Sequence, residues 1–424
     1  MTNIKVVVPL FINRESRRYL RYGGEDYNEL DKKLLFSQFL MLLLFQLLIG
    51  IVIWILSKLF ITIGDRYFII RMVGIALIIV NTRYMLYYIL QATNRIKEYA
   101  QATIIDRVIY IIIITILVTI GIREYKLMII ADLIGKLISL IYASYLCKDI
   151  VINRFSDFQL NLNETTKNIS AGIKLMFANI ASILIIGIVK FGIERTWDVS
   201  TFGKISLTLS VSNMTMVFIN AVGIIMFPIL RRTNQEKRIN IYTNMRDFLM
   251  MILLGLLMLY YPIKSFVSAW LPQYADSLKY MALLFPIFIY EGKMALLINP
   301  YLKTLRKEQM MLKVNIITMI LSLFLTLVTT LVFRSLDFTI LNIVVLLSLR
   351  SFVAEYYLAN ELKIAVVKDI ILELSLTLIF ILSGWFINSW LTTLIFTGSY
   401  LCYLIIKRKD IINTIGNIKT LIKA

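Results

Sequence analysis

The 424-residue sequence predicts an all-α, polytopic membrane protein with about twelve transmembrane helices. Hydrophobic residues make up 59% of the chain against 17% charged, and mean hydropathy is +0.79, more apolar surface than a soluble core can bury. The apolar residues come in runs long enough to cross a hydrocarbon layer about 30 Å thick, which takes roughly 20 residues per helix. The basic residues behind a net charge of +19 collect in alternate connections between those runs.

A sliding hydropathy window places the spans at roughly 34–61, 68–90, 104–121, 127–147, 168–190, 200–227, 246–264, 278–300, 311–333, 339–358, 370–387 and 390–406. The first outer turn is Thr62 to Tyr67, and the longest outer loop is Ser265 to Ser277. The longest inner loop, Lys148 to Lys167, is polar and marks a seam in the chain. Only Asn388 and Ser389 separate the last two spans, so 370–406 also reads as one re-entrant hairpin, which would bring the count to ten. Val6 to Ile12 is too short to span and lacks the layout of a signal peptide.

Lys32, Lys33, Arg95, Lys97, Lys148, Arg154, Lys167, Arg231, Arg232, Lys303, Arg306, Lys307, Lys363, Lys368 and Lys407 to Lys409 all fall on one side of these spans. The opposite loops hold only Arg66, Arg123, Lys126, Arg195 and Arg334. The positive-inside rule therefore puts both termini in the cytoplasm, and accounts for the net charge without nucleic acid. Trp54, Trp197, Trp270, Trp385 and Trp390 fall at outer helix ends or loops, as an interfacial belt would.

Several chemistries are excluded. The chain has no histidine, hence no imidazole metal ligand and no Ser-His or Cys-His pair. Cys147 and Cys402 lie far apart in apolar helices and read as buried packing thiols. No phosphate-cradling GxxxxGK[ST] run is present, and the short outer loops leave no room for a large extracytoplasmic catalytic loop. The expectation is a non-enzyme with no cofactor and no metal.

Ionisable groups at bilayer depth cost at least about 2.5 kcal/mol on insertion scales and face a cavity or a partner. Arg71, Arg107, Lys190, Lys204, Asp106 and Glu373 lie within about a turn of a predicted helix end, close enough to snorkel. Arg83, Asp132, Lys136, Lys174, Glu291, Lys293 and Arg350 lie deeper, Arg350 deepest. Asp132 and Lys136 are spaced to pair on one helix face. Glu291 and Lys293, two positions apart, face different ways and need separate partners, Arg350 being one candidate for Glu291. Cations outnumber carboxylates in this set, which suits an anionic ligand such as phosphate. Pro286 and Gly292 predict a kink or local unwinding in the same span.

Tyr88 to Tyr110 (YILQATNRIKEYAQATIIDRVIY) resembles the segment linking the fourth and fifth helices of bacterial polysaccharide flippases, the Wzx-type branch of the MOP exporter superfamily. Asn168 to Ile193, Phe202 to Ser210 (FGKISLTLS) and the FPIL of Phe227 to Leu230 resemble the start of that family's second lobe. The likeness covers roughly 70–360. It implies two lobes around a central lumen that opens alternately to either side, and a substrate of undecaprenyl-pyrophosphate-linked oligosaccharide moved across the bacterial cytoplasmic membrane.

On this alignment the first two family helices are missing. The chain divides into a cytoplasmic segment 1–33, a four-helix first lobe 34–147, an inter-lobe loop 148–167, a six-helix second lobe 168–358, and two additional helices with a basic tail over 359–424. The resemblance places Lys174, Lys190 and Lys204 at the lumen, with Asn179, Asn213 and Asn220 as polar contacts. Arg83, Lys136, Lys293 and Arg350 join them as substrate candidates on depth and charge, and Asp132 and Glu291 are candidates for coupling or ion pairing. Expected partners are the lipid-linked anionic glycan, membrane lipids and a polysaccharide polymerase complex. The rival readings are a small-molecule exporter of the same fold, a membrane-embedded glycan polymerase or transferase, and a non-transporting scaffold of an envelope-synthesis complex.

Overall fold

The computed structural model describes residues 29–60, 64–93, 95–152, 158, 162–214, 216, 219–220, 235–272, 278–387 and 389–414. Among them there is no strand, because a chain in lipid must satisfy its backbone polar groups within each segment. The run Ile109 to Val118, rich in β-branched isoleucine, is helical for that reason, although in water such a run favours a strand. The chain forms two compact units, Met1–Met176 and Phe177–Ala424.

The first unit holds α1 (Glu29–Phe60), α2 (Asp65–Ala92), α3 (Ile96–Thr119), α4 (Tyr125–Leu146) and the beginning of α5 (Leu162–Thr196). A one-turn helix, Lys148–Val151, follows α4 and packs on α1. Gly121, at φ 87°, takes a left-handed conformation in the turn between α3 and α4 that a side chain would oppose. α2 lies against α1, α3 and α4, and its inward face (Met85, Leu86, Ile89, Leu90) joins Leu35, Leu42, Ala143 and Ile150 in one apolar cluster. Tyr87 anchors that cluster by donating to the Ala102 carbonyl at 3.0 Å, with Ser139 Oγ 2.7 Å from its hydroxyl. α3 is mostly turned outward, with 11% of its apolar window buried, which fits a lipid-facing helix.

α3 and α4 meet closely at Gly135, where a Cβ would sit 2.8 Å from the backbone oxygen of Asp106. That oxygen cannot turn aside as a side chain would. Gly135→Ala is therefore expected to force the helices apart and cost about 1–3 kcal/mol, read as a lower unfolding midpoint in detergent. A midpoint unchanged from the parent protein would show that the helices yield freely.

The second unit continues α5 and adds α6 (Val199–Asn213) and α7 (Gln235–Leu256). α7 passes through a 3-10 turn, Leu257–Leu259, into α8 (Tyr260–Trp270). α9 (Leu278–Thr304), α10 (Glu308–Leu327), α11 (Leu336–Leu362), α12 (Val367–Phe386) and α13 (Leu391–Ile406) complete it. Asp198 caps α6 by accepting from the Thr201 amide at 2.7 Å, and these hydrogen bonds hold its carboxyl below the usual range.

α9 is the core of this unit, with 89% of its apolar window buried and contacts to α6, α7, α11 and α12. It is not one continuous helix. Met281–Leu284 is followed by Pro286, then by Ile287–Lys293, a π-helical stretch Met294–Ile298, and Asn299–Thr304. Proline removes an amide donor and the π stretch widens the helix, so the kink expected from Pro286 takes the form of a seven-residue piece bounded by two irregularities. α5 and α10 run parallel along a seam of small polar contacts: Asn315 Nδ2 donates to the Ala178 carbonyl at 2.9 Å, Ser322 Oγ to the Ile185 carbonyl at 2.7 Å, and Gly192 lies against Thr326. Close backbone approach over small residues replaces the hydrophobic drive that lipid does not supply.

Ten described helices are long and apolar enough to cross a membrane, and the shorter apolar α13 adds to them. A helix occurs at each of the twelve expected positions, though only the first part of 200–227 lies within the described residues. α12 and α13 are separate helices in contact. The chain is a multi-pass, all-α membrane protein. Val6 to Ile12 lies outside the described residues. Cys147 is buried as expected, whereas Cys402 is exposed on α13 and does not pack inward.

Candidate functional site

The deep charges fall into pairs. In the first unit Arg83 Nη1 meets Asp106 Oδ2 at 2.8 Å, both side chains 3% exposed, and the Arg83 guanidinium also lies over the Tyr84 and Tyr87 rings. Lys136 pairs with Asp132 on one face of α4, as their spacing requires. Asp106 is no snorkelling group: α3 begins at Ile96, so this carboxylate stands almost three turns inside the helix.

The second unit holds a closed ring of four ionic groups from four helices. Arg246 of α7 donates from Nε to Glu355 Oε1 of α11 and from Nη2 to Glu373 Oε1 of α12, both at 2.6 Å. Lys293 of α9 meets the other oxygen of each, Glu373 Oε2 at 2.5 Å and Glu355 Oε2. Each carboxylate thus spends one oxygen on each cation, and all four side chains are at most 3% exposed. Tyr242 adds a hydrogen bond to Glu355 Oε1 at 3.3 Å. Arg246 Nη1 reaches on to Asp369 at 3.1 Å, and Lys407, after α13, joins Asp369 at 2.9 Å to Asp247 and Asp410 at 3.0 Å each. With its charges balanced, its carboxylate oxygens used and its side chains enclosed, the ring is a clamp on α7, α9, α11 and α12.

Arg350 belongs to a different arrangement. Its Nη2 donates to Glu291 Oε1 at 2.8 Å and its Nη1 to Ser182 Oγ at 2.7 Å, joining α11 to α9 and α5. Glu291 and Lys293 do take separate partners, and Arg350 is the partner of Glu291.

Most of the excess of deep cations read from the sequence is absorbed by ion pairs in the structure. Arg83, Lys136, Lys293 and Arg350 are each neutralised by a carboxylate, and among the described residues every carboxylate more than a turn inside a span has a cationic partner. Three lysines differ. Lys174 and Lys190 on α5 and Lys204 on α6 are half-buried and, among the described residues, form no ion pair, although the charge of Lys204 acts on Asp198 at the start of its helix. Asn179 is exposed on α5 about three turns before Lys190, which places both on one helix face. Asn220 is exposed, and the side chain of Asn213 lies outside the described residues.

Sequence reasoning missed Arg246, Glu355 and Asp369 as partners and took Glu373 for a snorkelling group. All four sit near predicted span ends, because a hydropathy window trims charged residues from the ends of the spans it finds. The longer helices carry Arg246, Glu355 and Glu373 inside, while Asp369 stays in the first turn of α12. The spacing of Asp369 and Glu373, one turn apart, was the available signal for a shared partner.

No family model matches the chain, and no curated protein matches it. Solved structures do. A MOP superfamily transporter from Pyrococcus furiosus Vc1, described as having a binding pocket of reverse polarity, is 14% identical over 85% of each chain, with a TM-score of 0.66. An outward-facing multidrug resistance MATE family transporter of the MOP superfamily is 13% identical over 85% of this chain and 84% of its own, with a TM-score of 0.67. The chain has the MATE-type transporter fold. A MATE protein in complex with MaL6 agrees, at 14% identity, 85% coverage of each chain and a TM-score of 0.67. The solved neighbours are described as transporters.

Proposed function

We propose that the chain is a flippase of the Wzx-type branch, moving a lipid-linked anionic oligosaccharide across the bacterial cytoplasmic membrane by alternating access, for cell-surface polysaccharide such as O-antigen or capsule. The observation that carries this reading is the sign of what remains after pairing. Among the described residues the deep carboxylates are all engaged, while Lys190 and Lys204 in the second unit, and Lys174 separately in the first, are left to attract an anion, and pyrophosphate is the anionic group of such a lipid. An ionisable side chain within a span costs free energy that a ligand of opposite charge offsets. The glycan sits beside amides such as Asn179 and Asn220, and the lipid tail stays in the bilayer. Both termini lie in the cytoplasm on the positive-inside rule, and a polysaccharide polymerase is the expected neighbour in the membrane.

A second reading, export of a small molecule, draws on the multidrug transporter among the solved neighbours. A cationic drug would favour unpaired carboxylates, which the described residues of the spans do not offer more than a turn from a helix end. The two readings separate in liposomes. Reconstituted protein is expected to move a pyrophosphate-linked oligosaccharide between leaflets, and Lys174→Gln, Lys190→Gln and Lys204→Gln together are expected to slow it at least about tenfold, a barrier increase of about 1.4 kcal/mol. The corresponding arginine substitutions retain activity. Flipping that is indifferent to all three charges, or transport of a cationic drug in its place, would overturn the proposal.

A further inference from the structure

The second unit contains two buried ionic arrangements of opposite design. The ring of Arg246, Lys293, Glu355 and Glu373 is sealed, and every carboxylate oxygen in it faces a cation. The Arg350–Glu291 pair is open and incomplete. The Arg350 side chain is 2% exposed, but that of Glu291 is 23% exposed. Only one guanidinium nitrogen meets Glu291, a second meets Ser182, and Nε is buried without an acceptor. A guanidinium binds an oxyanion best through two parallel hydrogen bonds, and an unmet buried donor costs about 1–3 kcal/mol. A phosphate, with more charge and more acceptor oxygens than a carboxylate, can engage Nη2 and Nε together.

The carboxylate is also mounted to leave. Glu291 rides on the piece Ile287–Lys293, bounded by Pro286 on one side and by the π stretch Met294–Ile298 on the other. Such irregularities are where a helix changes direction at small cost. Lys293, at the end of that piece, stays fixed in the sealed ring, so a movement of Glu291 pivots about a held point.

We propose that Arg350 is a phosphate-binding residue that Glu291 holds in reserve: a phosphate or pyrophosphate group arriving at the open side of Glu291 takes over the guanidinium, and the carboxylate withdraws with its helix piece. This rests on the proposed function, since it names the residue that receives the anionic headgroup. It differs from a structural ion pair in the sign of one effect. Glu291 is a competitor of the ligand, so removing its charge strengthens binding.

The test measures binding of farnesyl pyrophosphate, farnesol and inorganic pyrophosphate to the full chain in detergent by calorimetry. Glu291→Gln is expected to bind farnesyl pyrophosphate about tenfold tighter than the unaltered protein, equivalent to about 1.4 kcal/mol. Arg350→Gln is expected to lose that binding, and the double variant to behave as Arg350→Gln does. Where Arg350→Gln does not fold, Arg350→Lys keeps a cation for Glu291 but lacks the planar fork, and is expected to bind several-fold more weakly. Glu291→Gln binding no tighter than the unaltered protein, or either Arg350 variant binding as well as it, would overturn the inference. If that happens while lipid-linked oligosaccharide is still flipped, the inference falls and the functional reading stands. Tight binding of inorganic pyrophosphate, matched by farnesyl pyrophosphate with no added gain, supports the Arg350 site and removes the lipid from the proposed function.

Discussion

Replacing Arg246 with methionine is expected to destabilise the second unit by about 3–5 kcal/mol, because it strands Glu355 and Glu373 in the interior with Lys293 as their one remaining common cation. The measurement is the midpoint of unfolding by denaturant in mild detergent, compared with the unaltered protein. The ring predicts more than the single loss. Burying two ion pairs is nearly neutral against well-packed apolar groups, whereas breaking them is not. Replacing all four ring members with methionine or leucine should therefore cost less than Arg246→Met alone. If the fourfold variant proves the less stable of the two, the ring contributes net stability and the clamp is more than a device for specifying which helices meet.

Asp106→Ala is expected to have an effect of similar size in the first unit. Arg83 is then left at 3% exposure with no carboxylate, and Arg107, at 3.8 Å from the same Asp106 oxygen, loses its partner as well. The cost is about 3–5 kcal/mol, and Arg83→Met combined with Asp106→Leu should cost less than the sum of the separate changes. Additive effects would mean that the pair is not coupled, and would place both groups in water. Because Arg83 is satisfied within its own unit, its removal should not alter the proposed flipping of lipid-linked oligosaccharide beyond this loss of stability.

Hydropathy placed the helices because it depends on a property each residue carries alone. A run such as Ile109 to Val118 is apolar whatever surrounds it, and the bilayer leaves the helix as its conformation. Spacing along one helix was equally legible. Asp132 and Lys136 pair because four residues are about one turn, and Glu291 and Lys293 do not pair because two residues face apart. The choice of Arg350 as a partner for Glu291 was within reach for the same reason: depth leaves few alternatives.

What the sequence overstated was the size of the cationic excess. The deep set looked cationic because Asp106, Glu355 and Glu373 sat near predicted helix ends, where a carboxylate can reach water. Their helices run further than their apolar stretches, and neighbouring helices bring cations to them from elsewhere in the chain: Arg83 to Asp106 from 23 residues away, and Arg246 to Glu355 and Glu373 from more than 100. Sequence alone determined that this chain crosses a membrane repeatedly as helices, and which residues would have to find partners there. Tertiary structure decided the pairs of Arg83 with Asp106 and of Arg246 and Lys293 with Glu355 and Glu373, because an ion pair between helices depends on rotation and depth in two elements at once, and neither is written in the residues between them. The distinction it drew, between a sealed ring around α9 and an open pair on the hinged piece Ile287–Lys293, follows from packing that leaves Glu291 partly exposed and Lys293 fully enclosed.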